Sequence, residues 1–110
     1  MLTIKAKIMF FNAKDSFTRN GGISTKNTLR PAFKFGEGLL FSGTIKNGTE
    51  NEKYLYQTIY VVEVELPTIG NEAYKAIQPF IKIGMYLNIQ TASKIIGEAK
   101  ILEYKYSYQS

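Results

Sequence analysis

The sequence predicts one small all-β domain, residues 1–110, of barrel or sandwich type. Three observations predict it. Apolar and polar residues alternate with period two in segment after segment. Gly, Pro and Asn-Gly turn signals separate those segments. Room is left for at most one short helix, near residues 71–78, and about six strands remain.

Each element follows from its own residues. Ile4, Ala6, Ile8 and Phe10 alternate with Lys5, Lys7 and Met9, which reads as a half-buried strand. The polar stretch from Asn12 to Thr28, with Gly21-Gly22 at its centre, is too long for a tight hairpin, and long loops in compact domains are often functional. Leu29–Phe35 is a short aromatic strand whose Pro31 belongs at an edge or a strand entry. A further strand is expected over Leu39–Lys46, closed by the Asn47-Gly48 turn. Tyr54–Leu66 is the most β-prone segment, with Tyr60, Val62, Val64 and Leu66 on one face and Ile59, Val61, Glu63 and Glu65 on the other. Asn71 is expected to cap a short helix over Glu72–Ile77, which Pro79 stops. Ile81, Ile83, Met85, Leu87 and Ile89 then form one face of a strand. After a turn near Thr91–Lys94, Ile95, Gly97, Ala99 and Ile101 form the inner face of the last one. The small Gly97 and Ala99 suit a tight interior or a close backbone approach.

Composition bounds the function. The net charge is +5, and it is unevenly spread: residues 1–46 hold eight Lys or Arg and two acids (+6), residues 47–110 six and seven (−1). A basic first half attracts phosphate backbones or acidic protein patches, or simply keeps a small domain soluble. With no Cys there is neither disulfide nor thiolate chemistry. The first residues lack a secretion signal and no apolar run approaches the ~20 residues of a membrane span, so a soluble, cytoplasmic protein is expected.

The catalytic inventory is thin. Absence of His and Cys removes the usual general base, the common nucleophile pairs and the commonest metal ligands. Glu63 and Glu65 share a strand face at a spacing a two-carboxylate hydrolase could use, but an ordinary solvated face explains them more simply. No P-loop is present, and Gly36-Glu37-Gly38 leads into a strand rather than a helix. The expectation is a non-enzyme with no catalytic residues, metal, cofactor or bound nucleotide. Aromatics are the other resource. Phe33 and Phe35 beside Arg30 and Lys34, and Tyr104, Tyr106 and Tyr108 beside Lys105, either stack bases or fill a core and pack across strands.

Two segments resemble the C-terminal β-barrel of translation elongation factor Tu. Gly21-Gly22 followed by Leu29-Arg30-Pro31-Ala32-Phe33-Lys34-Phe35 is similar to that family's Gly-Gly loop and Tyr-Arg-Pro-x-Phe-x-Phe strand. Gly84 to Ile101 follows, without gaps, the family's closing pattern, including the glycine at Gly97. The resemblance implies a closed six-stranded antiparallel barrel, here without the family's GTPase domain and second barrel. Where the family has the Arg-His-Thr that helps hold the T stem of aminoacyl-tRNA, this chain has Ile23-Ser24-Thr25. The family's Gln after Arg-Pro is Ala32, its Arg-Glu-Gly-Gly-Arg turn is Gln90–Lys94, and about nine extra residues lie between Leu66 and Gly84.

With the barrel pattern present and the tRNA residues changed, a non-catalytic binding module for a protein partner is expected, in one form a mimic or decoy of the translation factor. The alternative is an RNA- or tRNA-binding barrel using the basic first half. Either reading places its contacts at Arg19, Gly21, Gly22, Lys26, Arg30, Lys34 and Lys94.

Overall fold

The structure is a computed structural model that describes residues 1–11, 22–24, 31–46, 53–91 and 94–107. Among these residues nine strands and one helix occur: β1 (Leu2–Phe10), β2 (Gly22–Ser24), β3 (Ala32–Phe35), β4 (Leu39–Ser42), β5 (Thr44–Lys46), β6 (Lys53–Leu55), β7 (Tyr60–Leu66), α1 (Asn71–Ile77), β8 (Tyr86–Thr91) and β9 (Lys94–Tyr106). Seven strands form one antiparallel sheet in the order β4-β3-β8-β9-β1-β7-β5, curled into a half-barrel. β2 and β6 pair separately. No helix among the described residues is long and apolar enough to cross a membrane.

Alternation sets the two faces. On β1 the side chains of Leu2, Ile4, Ala6, Ile8 and Phe10 are buried, while Lys5 and Lys7 are exposed. On β7 Val62, Val64 and Leu66 are buried, and on β9 Ala99 and Ile101. Phe33 and Phe35 of β3 are core residues, 1% and 0% exposed, so packing rather than base stacking accounts for them. Gly97 lies opposite Phe10 where β1 and β9 approach closely: a Cβ there would sit 2.6 Å from the Met9 carbonyl oxygen. The expected tight approach at Gly97 is thus observed.

The predicted strand Leu39–Lys46 is interrupted at Gly43. β4 pairs with β3 at one edge of the sheet, and β5 pairs with β7 at the other. The chain passes between them at Gly43, whose N–H donates to the Pro31 carbonyl at 3.0 Å. The Phe33 ring leaves no room for a side chain at this position, with its Cε2 2.8 Å from where a Cβ would stand.

Four local expectations differ from the structure. Ile95, expected on the inner face of the last strand, is 46% exposed, because it lies beyond a register shift between Ile89 and Gln90 in the β8–β9 pairing that breaks the alternation. Tyr54–Leu66 is not one strand: Gln57 adopts a positive φ of 55° and separates β6 from β7. β strands need partners as well as propensity, and β6 finds its own in β2. The Ile81–Ile89 strand begins only at Tyr86, after a 3-10 turn over Gln78–Phe80 and a turn at Ile83-Gly84, which leaves Ile83 72% exposed. Asn71 lies inside α1 rather than capping it; Gly70 is the N-cap residue. The Asn71 Oδ1 instead accepts a 2.7 Å hydrogen bond from the Tyr106 hydroxyl. α1 buries Tyr74 and Ile77, and the Tyr74 ring stacks on Tyr106 with centroids 3.9 Å apart and planes within 4°. This places Tyr106 of the C-terminal tyrosine series in a packed contact, whereas Tyr104 is 41% exposed and Tyr108 lies outside the described residues. The Asn47-Gly48 turn also lies outside them.

Candidate functional site

Of the residues singled out in the sequence, Arg19, Gly21, Lys26 and Arg30 lie outside the described residues. Gly22 opens β2 and pairs with Leu55 of β6. That ribbon is tied to the core through Tyr54, which is buried with its ring 5.7 Å from Phe10 and 5.0 Å, edge-on, from Tyr60. Lys34 is half-buried on β3, between Leu40 of β4 and Asn88 of β8. Lys94 is exposed at the start of β9, opposite Thr91. Two strand spacings and several residues separate the pair, so their Cα atoms stand roughly 15 Å apart. Lys34 and Lys94 do not form one cluster.

The structure instead brings together charged residues on the outer face of β5, β7, β1 and β9. Period two puts Lys46, Glu63, Lys5 and Glu103 outward, and the strand registers align them: Lys46 opposite Glu63, Glu63 opposite Lys5, Lys5 opposite Glu103. All four are exposed. Four neighbouring strands thus carry one row of alternating sign. Opposite charges directly across a strand pair stabilise it, so the row is favourable within the sheet. The adjoining row is Thr44, Glu65, Thr3 and Lys105. Lys46 reaches diagonally to form an ion pair with Glu65, and this hydrogen bond, followed by the carboxylate charge, raises the lysine pKa above its ordinary value. Glu63 and Glu65 are therefore surrounded by lysines on an open sheet face, the environment of a solvated carboxylate pair.

The surface is dished at this place. Thr3, Lys5, Val61, Glu63, Glu103 and Lys105 line most of an open depression of about 560 Å³. A register shift between Lys5 and Ala6 in the β1–β9 pairing lies beside it, and such irregularities bend and twist a strand locally. Val61, 47% exposed, supplies apolar surface at the rim.

On the other side of Lys5, the row Tyr86, Lys100, Lys7 and Val61 places two lysines directly opposite each other. The Lys100 ammonium lies 5.9 Å from the centroid of the Tyr86 ring, which is 58% exposed. A lysine over a tyrosine face is a weak cation–π contact at an exposed site. Among the described residues no group of three or more His, Cys, Asp or Glu could hold a metal ion.

Reasoning from the sequence missed the alternating row, although its signal was there. Lys5 and Lys7, and Glu63 and Glu65, were already on polar strand faces. What no local pattern reports is which strands lie side by side. Comparison with protein-family models, with curated proteins and with solved structures finds no match to this chain.

Proposed function

We propose that this chain is a non-catalytic binding module that engages a protein partner through the outer face of β5, β7, β1 and β9. The observation that carries this reading is the row Lys46–Glu63–Lys5–Glu103, in which positive and negative groups alternate beside exposed Val61. A polyanion needs one sign of charge; a face of mixed sign with apolar relief suits the complementary polar rim and apolar centre of a protein surface.

The scaffold we infer is a closed six-stranded barrel like the C-terminal barrel of elongation factor Tu. Its support is the chain path at Gly43: the two edge strands β4 and β5 follow one another with a single residue between them. Counted as one bent strand, they reduce the seven-stranded sheet to six and join its two edges. A detached barrel of this type is suited to act as a mimic or decoy of a translation factor.

The test is affinity capture from nuclease-treated lysate with the wild-type chain and the variant Lys5→Glu/Glu103→Lys. A protein retained by the wild type and lost with the variant is expected. Recovery of the same proteins by both overturns the reading. The second reading, RNA binding, draws on the Lys7–Lys100 pair beside Tyr86. It requires affinity for single-stranded RNA that falls by orders of magnitude between low and moderate salt.

A further inference from the structure

We propose that the face just described docks onto the same face of a second copy of this chain, about a two-fold axis parallel to the strands and running between β7 and β1. The inference rests on the reading of this face as a protein-binding surface and names its partner. An isologous contact requires a surface complementary to itself, so that residue i meets residue j and j meets i. A row of charges ordered plus, minus, plus, minus has that property. Turned over about its own centre, it presents minus to plus at every position.

The strand registers allow this to be followed residue by residue. With the axis between β7 and β1, β7 faces β1 of the second copy and β5 faces β9. Glu63 then meets the second copy's Lys5, and Lys46 meets its Glu103. In the adjoining row, Glu65 meets Thr3 and Thr44 meets Lys105. On the other side, exposed Val61 meets the aliphatic stem of Lys7. No like charges meet in these rows. Moving the axis by half a strand spacing, onto β1, would set Lys5 against Lys5 and Glu63 against Glu103. The charge order therefore selects one arrangement and penalises its neighbour, which is how registers are specified at interfaces. Sheets packed with aligned strands, about 10 Å apart, suit this geometry, and the depression beside Lys5 gives long side chains of the opposing copy room to enter.

Size sets the strength. Four strands by three outward rows cover roughly 400 Å² per copy. That is about half the area each partner contributes to a standard stable interface, so the dimer is weak and reversible, with Kd on the order of 0.1–1 mM. Because exposed charges carry the specificity, raising the salt from about 0.05 M to about 0.5 M weakens it roughly tenfold.

The experiment is sedimentation equilibrium of the wild-type chain from about 10 µM to about 1 mM, with two further variants whose folding is checked by circular dichroism. Lys5→Glu/Lys46→Glu makes the row wholly negative, and Glu63→Lys/Glu103→Lys makes it wholly positive. Salt-sensitive self-association of the wild type is expected, with each variant alone monomeric and an equimolar mixture of the two associating again. A mixture effect distinguishes contact between copies from loss of ion pairs within one copy. Amide shifts on dilution of the wild type, expected at Lys5, Val61, Glu63 and Glu103, require no variant. A wild type that stays monomeric to about 1 mM, a variant that self-associates as the wild type does, a mixture that stays monomeric, or dilution shifts elsewhere each overturn the proposal. If these fail while the capture experiment still finds a protein lost with Lys5→Glu/Glu103→Lys, only the identity of the partner is wrong; if both fail, so does the reading of the face.

Discussion

Strand β1 presents two surfaces built from the same nine residues, and they obey different rules. Inward, Leu2, Ile4, Ala6, Ile8 and Phe10 are at most 2% exposed and meet side chains from several strands. Volume decides what fits there, because a close-packed interior forfeits contacts wherever a gap opens. Outward, Lys5 and Lys7 are exposed, with their strand partners on β7 and β9. Charge decides there, and size hardly matters. The contrast teaches that the core fixes the shape of the sheet while the outer rows can change in charge without disturbing it.

Substitutions on either face can break or sharpen that contrast. The largest effect is expected inside. Phe10→Ala removes a buried ring packed against Tyr54, at a cost of about 3–5 kcal/mol read from the urea midpoint; a loss below about 1 kcal/mol would mean the inner face is loosely packed. Gly97→Val drives side-chain atoms against the Met9 carbonyl and should cost about 1–3 kcal/mol by forcing β1 and β9 apart. Unchanged stability there would show that the two strands separate freely. Tyr106→Phe keeps the stack on Tyr74 and removes only the hydrogen bond to Asn71, so a loss of about 0.5–1.5 kcal/mol is expected in the same assay.

The smallest effect lies on the outer face. Hydrogen bonding to Glu65 raises the pKa of Lys46 in the folded chain above its unfolded value. The stabilisation is therefore fully present below the ordinary lysine range and fades as pH rises through the raised value. Thermal unfolding of the wild type and of Lys46→Met should accordingly differ by the same amount at about pH 6 and about pH 9. A difference that changes between these two values would mean that another group titrates with the pair.

The inner face was legible from residues alone. Ile4, Ala6, Ile8 and Phe10, the Phe33–Phe35 pair and the small Gly97–Ala99 face all occupy the interior that their alternation predicted. Period-two reading failed where the pattern ran past the end of a strand. Ile81 and Ile83 continue the alternation of β8, but Ile81 is buried beyond the 3-10 turn and Ile83 is exposed on the next turn. High β propensity from Tyr54 to Leu66 likewise concealed the break at Gln57, because propensity does not report which backbone is available to pair with β6. The candidate site was less legible. Lys34 and Lys94 stand out in the sequence for their charge and for the resemblance, and the strand order sets them apart.

By itself, the sequence determined which side chains face inward along the regular stretches of the strands, since alternation is a property of the extended backbone and needs no distant information. Only the tertiary structure decided which strands are neighbours and at what register. Lys5 and Glu103 lie at opposite ends of the chain, yet they stand side by side, with Glu63 and Lys46 completing the row. Pairing over such separations is settled by curling the sheet around one core, and a shift of one residue would have turned those charges inward.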